Sequence, residues 1–118
     1  MSPLTPLEKD IQSAIIQAFA IKHRVILWPI DAGCAGMRKG AFDTQGHSGI
    51  PTGFPDLMGI GRGGIALFIE VKRPGKKPRP NQISFLETLN NRGAIAFWSC
   101  SVESALGQYE DRIGGCRG

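Results

Sequence analysis

Two carboxylates and one amine, Asp56, Glu70 and Lys72, have the types and spacing to act on a phosphate ester. Glu70-Val71-Lys72 closes the run Ile65-Ala66-Leu67-Phe68-Ile69, which Gly61-Arg62-Gly63-Gly64 bounds upstream. A β-branched and aromatic run of this kind predicts a strand. Side chains alternate along it, so Glu70 and Lys72 leave one face, roughly 6.5–7 Å apart along the strand. Ile69 and Val71 leave the other face. Ala66 and Phe68 make the first face apolar too, which predicts a central strand covered on both sides. Gly53-Phe54-Pro55-Asp56 leads into a second short strand, 57–60, joined to the first as a hairpin. If Ile60 pairs with Ala66, Asp56 stands opposite Glu70, with Cβ atoms about 4.5–5.5 Å apart.

Two carboxylates that close repel unless a cation lies between them or one holds a proton. Lys72 supplies one positive charge; a divalent metal supplies more. Mg²⁺ takes oxygen ligands and keeps several waters. Asp56, Glu70 and the backbone carbonyl of Val71 are the expected protein ligands. Such an ion lowers the pKa of a bound water and stabilises charge on phosphoryl oxygens. Lys72 would orient the attacking water or neutralise the transition state. The chemistry is metal-assisted phosphodiester hydrolysis.

The charge distribution points to the same partner. The net charge is +4, but Lys72, Arg73, Lys76, Lys77 and Arg79 place +5 within residues 72–79, leaving −1 for the rest. A local basic patch beside paired acids favours a polyanion, most simply nucleic acid held by its backbone. Arg38 and Lys39 add basic side chains in the glycine-rich stretch 31–53, expected to be a long loop and a further nucleic-acid contact. His47 in that loop is read as a solvated histidine, with Met37 and Phe42 as loop pins or contacts to a partner subunit.

The elements that must position these groups follow in order. Thr5-Pro6-Leu7-Glu8 predicts a helix start with Thr5 as cap and Glu8 completing a capping box. The helix runs to about Lys22 with Leu7, Ile11, Ala14, Ile15, Ala18 and Phe19 as its buried stripe. Val25–Trp28 is a strand that Pro29 stops. After the hairpin, Pro74, Pro78 and Pro80 make the basic segment a rigid loop. Asn81 caps a helix from Gln82 to about Arg92, ended by Gly93, with Ile83, Leu86 and Leu89 inward and Phe85 on the flank. Gln82 falls in its first turn, where its amide could point at the site. Ala94–Trp98 is a strand. Ser101 caps a last helix to about Ile113, with Val102, Leu106 and Tyr109 apolar. The order αβββαβα predicts an α/β domain, a mixed central sheet flanked by helices.

Gly53-Phe54-Pro55-Asp56-Leu57, Glu70-Val71-Lys72, Gln82 and Gly93 together resemble the VRR-NUC domain of the PD-(D/E)XK nuclease superfamily. The order of the motifs, the gap of 14 residues between the acids and the glutamine on the next helix carry the resemblance over nearly the whole chain. It implies a restriction-endonuclease-like core and one stand-alone domain over residues 1–118, of the phage or bacterial type. It also implies cleavage of DNA with Mg²⁺ or Mn²⁺. Asp56 and Glu70 would be the metal carboxylates, Lys72 the catalytic lysine, Gln82 a supporting residue of the site, and Glu8 a further metal carboxylate on the first helix. Stand-alone members resemble four-way (Holliday) junction resolvases and act as homodimers, so branched DNA and a second copy are the implied partners.

Composition sets outer bounds. At 118 residues, with 42% apolar and 20% charged content, the chain can bury one core. No apolar run reaches membrane-span length. No signal-peptide pattern opens the sequence. Cys34, Cys100 and Cys116 are odd in number and lack CxxC spacing, which argues against disulfides and zinc. The expected setting is the cytoplasm of a bacterium or of a phage's bacterial host. Residue types alone leave a second reading open, a non-catalytic nucleic-acid binder in which Glu70 and Lys72 form a structural pair. A third, a structural subunit of a phage particle, would need no acidic cluster.

Overall fold

The computed structural model describes residues 7–30 and 52–114. The elements are helix α1 (Glu8–His23), strand β1 (Leu27–Pro29), strand β2 (Leu57–Ile60), strand β3 (Ala66–Val71), helix α2 (Pro80–Asn91), strand β4 (Ile95–Ser99) and helix α3 (Val102–Gly114). The four strands form one sheet in the order β1-β2-β3-β4. β1 and β2 are antiparallel, as are β2 and β3, while β3 and β4 run parallel. The sheet is mixed and the domain α/β, as the element order predicts.

Two-residue alternation sorts the core into two layers. Leu67, Ile69 and Val71 of β3 join Leu57, Ile95 and Phe97 against Ile11, Ile15 and Phe19 of α1 and Ala105 and Tyr109 of α3. Phe68 and Ala96, with Ala66, Met58 and Trp98, face Leu86 and Leu89 of α2. Each fully buried aliphatic side chain contributes about 1.5–3 kcal/mol. β3 is thus interior and covered on both faces. Ile60 pairs with Ala66 and Leu57 with Ile69, the register that the hairpin predicts. A single 3-10 turn, Arg62–Gly64, links the two strands.

Several expected boundaries move. α1 begins at Glu8, with Leu7 as an extended N-cap. Leu7 is 57% exposed rather than part of the stripe, Ala14 is exposed as well, and the Thr5 cap lies outside the described residues. β1 includes Pro29 instead of stopping before it, because an edge strand tolerates a missing N–H. Gly59 lets β1 come close: a Cβ there would lie 2.5 Å from the Ile26 carbonyl oxygen. α2 starts at Pro80 with Arg79, not Asn81, at the N-cap; proline suits the first helical position. Its inward face is Phe85, Leu86 and Leu89, and Ile83 is 42% exposed. β4 sits one residue later than expected. Ser101 caps α3 as expected, accepting from the Ser104 N–H at 3.1 Å.

Candidate active site

The site lies where β2 begins and β3 ends. The ladder stops at Leu57–Ile69, and one more step of that register sets Asp56 opposite Glu70. Asp56 is tied to both neighbouring strands. Its carbonyl accepts from the Ile30 N–H at 2.7 Å, and its Oδ2 accepts from the Val71 N–H at 2.9 Å. The approach to it is fixed by packing. Phe54 lies edge-on to Phe68 at 5.7 Å and to Phe85 at 5.3 Å. Gly53 takes φ +94°, and a Cβ would meet the Asn81 carbonyl oxygen at 3.1 Å. Only glycine lets this turn sit against the first turn of α2.

Glu70 projects from the α2 face and is only 2% exposed. An ionised carboxylate that buried needs charge and hydrogen bonds as compensation. Its Oε2 receives both: the Gln82 Nε2 donates at 2.8 Å, and the Lys72 ammonium lies 3.3 Å away. Glu70 and Lys72 thus leave one face and converge. The Lys72 backbone N–H donates to the Ser99 carbonyl at 3.0 Å, extending the parallel ladder one step past Val71 and holding the lysine root in place.

Gln82 reaches in two directions. Its Oε1 accepts from the Arg79 N–H at 2.8 Å while its Nε2 serves Glu70. An amide has one acceptor end and one donor end, so the helix cap orients the group that meets the carboxylate. The link follows from Pro80 at the first helical position, which puts Gln82 at the third, where a glutamine returns to the cap. Placing the cap at Asn81 hides it.

The basic loop leaves β3 directly. Gly75 at φ +88° follows Pro74 in a turn closed by the Lys76 N–H donating to the Arg73 carbonyl at 3.0 Å. Lys76, Lys77 and Arg79 are exposed, and Lys72 and Arg73 are half-buried. The buried Nε of Arg73 meets no acceptor among the described residues. Arg38, Lys39, His47, Met37 and Phe42 lie outside those residues.

Glu8 opens α1 and lines a cleft with Gln12, Ile16 and Pro29. α1 packs on the Ile69 and Val71 face of the sheet, while Glu70 faces α2. Among the described residues no group of three or more His, Cys, Asp or Glu is gathered closely enough to hold a metal ion.

Two acids in register, an amine on one of them and a flanking cationic loop can bind a phosphodiester and, with a hard cation, hydrolyse it. Residues 8–104 match the family model described as the VRR-NUC domain. A solved structure described as a VRR_NUC domain matches with a TM-score of 0.61 at 23% identity, over 87% of this chain and 94% of that one. That likeness speaks to the fold. No curated protein matches the chain. No helix among the described residues is long and apolar enough to cross a membrane.

Proposed function

The chain belongs to the VRR-NUC domain family, a nuclease domain family, and on that premise we propose that it is a divalent-metal-dependent endonuclease of branched DNA. The observation that carries the proposal is the opposition of Asp56 and Glu70 across the hairpin with the Lys72 amine 3.3 Å from Glu70. The residues fit a hard cation. Both acidic side chains offer oxygen only, the donor type that a hard cation takes. Asp56 and Glu70 would hold Mg²⁺ or Mn²⁺ together with the Val71 carbonyl. When bound, the ion supplies an activated water and charge stabilisation on the phosphoryl oxygens.

The chain's own groups do the rest. Val71 N–H fixes the Asp56 carboxylate, and Gln82 fixes that of Glu70. Lys72, held between Glu70 and the ladder, presents a positive charge where negative charge develops on the phosphate. Arg73, Lys76, Lys77 and Arg79 grip the DNA backbone on either side of the scissile bond. We extend the proposal to a four-way junction substrate and a homodimer, because two symmetric sites suit concerted cuts in two strands.

A second reading has one observation in its favour. The direct Lys72–Glu70 contact would also suit a structural pair in a non-catalytic DNA binder. Incubation with Mg²⁺ or Mn²⁺ against a four-way junction, a flap and a duplex, with EDTA as control, separates the two. The nuclease cuts the junction only with metal, and Asp56→Asn and Lys72→Ala abolish cutting while DNA binding survives. Cutting that persists in either variant removes the site assignment. Binding with no cutting under any metal favours the binder.

A further inference from the structure

At the far end of the sheet, roughly 16 Å from Glu70 by strand rise, a second concavity lies between the end of α1 and the β2–β3 turn. Its volume is about 290 Å³, and His23, Arg24, Ile60, Gly61, Arg62 and Tyr109 are among its walls. That is near the lower limit for small-molecule sites, about 300 Å³. Two arginines and a histidine line it, with no aspartate or glutamate among its lining residues. We propose that this cleft binds a phosphate-class oxyanion, held by the guanidiniums of Arg24 and Arg62 and the hydroxyl of Tyr109.

Arg24 has φ 57° and ψ 31°, the one described non-glycine residue with positive φ. Glycine is the usual occupant of that position after a helix. A strained arginine beside a cleft calls for a functional reason. Neither Arg24 nor Arg62 pairs with a carboxylate among the described residues. The nearby Glu110 is engaged by Lys22 and His23, each at 2.8 Å.

Tyr109 is 1% exposed, yet its hydroxyl end reaches the cleft. Its oxygen accepts from the Arg62 N–H at 2.9 Å, and its own proton meets no acceptor among the described residues. A buried hydroxyl with a donor to spare suits an oxyanion. Gly61 allows the approach, since a Cβ would come within 3.2 Å of the Tyr109 ring and hydroxyl. The negative end of α1 opposes an anion with about half a charge, which two guanidiniums outweigh. Both can fork onto phosphate oxygens.

The test is an amide and arginine side-chain NMR titration of the full chain with inorganic phosphate, and separately with a short single-stranded DNA lacking terminal phosphates. The variants are Arg24→Gly, Arg62→Ala and, as a control for net charge, Arg92→Ala. Arg24→Gly places glycine where the backbone favours it, so lost binding cannot be ascribed to unfolding. Phosphate should saturate at the Gly61 and Arg62 amides in the wild type. Arg24→Gly and Arg62→Ala should each weaken it about tenfold or more, and Arg92→Ala should leave it unchanged. Parallel weakening in the DNA arm identifies the ligand as a backbone phosphodiester; weakening in the phosphate arm alone identifies a free phosphate. Absence of saturation at these amides, or equal affinity in all three variants, overturns the proposal.

Discussion

Gln82 offers a sharp test of how the site is held, because two substitutions there act in opposite ways. Gln82→Leu removes a 2.8 Å hydrogen bond to a carboxylate that is 2% exposed and an exposed 2.8 Å bond from the Arg79 N–H. A bond to a buried charge is worth about 1.5–3 kcal/mol and a helix-cap bond about 0.5–1 kcal/mol. Lys72 at 3.3 Å keeps part of the compensation. The expected loss is therefore about 2–3 kcal/mol, or roughly 10–20 °C in Tm for a domain of this size. Gln82→Glu keeps an acceptor for Arg79 but sets a second carboxylate against Glu70. Two such charges repel by about 4 kcal/mol at an effective dielectric near 20, unless they share a proton. The folded state of this variant then holds a proton more tightly than the unfolded state does. Its stability must rise as pH falls and be lost as pH rises. Thermal unfolding by circular dichroism from about pH 5 to about pH 9, a range wide enough to span the shared proton's loss, reads this directly. Added Mn²⁺ should raise the Tm of Gln82→Glu more than that of the wild type. A Gln82→Glu Tm that ignores both pH and Mn²⁺ would refute the placement of Gln82 against a metal-binding carboxylate.

Two further substitutions test the scaffold. Gly53→Ala puts a Cβ 3.1 Å from the Asn81 carbonyl oxygen at φ +94°, and denaturant unfolding should report a loss of about 1–3 kcal/mol. Equal stability would mean that the turn before Asp56 is not pressed onto α2. The Glu110 carboxyl is held below its ordinary range by its hydrogen bond from Lys22 and then by that from His23. Its contribution is complete above the usual carboxylate range and is lost as pH falls through the lowered value. NMR titration should place Glu110 below the ordinary glutamate range, and Lys22→Ala should move it back up.

The acids and their register were legible from residue order because strand alternation and a short hairpin leave little freedom. Once Ile60 meets Ala66, continuing the same register sets Asp56 across from Glu70. Helix boundaries were less legible, for local reasons. Pro80 and Asn81 both signal a start, and proline wins because its fixed φ suits the first turn. Phe85 displaces Ile83 from the inward face because Phe54, from a loop distant in sequence, stacks on it. The left-handed conformation of Arg24 has no sequence signal, since glycine is the residue that usually marks that position after a helix. The basic loop was legible as charge, while the way Pro80 and Gln82 connect it to Glu70 depended on the helix register.

The hydrophobic pattern and the chemistry of this domain are one constraint. Met58 shares the α2 face with Phe68, whereas Leu57 lies with Ile69 in the other layer. A slip of one residue between β2 and β3 would move Leu57 out of that layer and set Asp56 against an apolar partner. It would also strip the Val71 N–H from Asp56. Turning Glu70 to the other face would bury a carboxylate among Ile11, Ile15 and Phe19 with neither Lys72 nor Gln82 in reach, a cost of several kcal/mol. The apolar side chains therefore penalise every register in which the acids fail to meet. This is why a short hairpin with only four paired positions can place two charges without a binding partner to organise them. Substitutions at Leu57 or Ile69, whose side chains lie in the layer opposite Glu70, should then disturb the acids as surely as substitutions on the acids' own face.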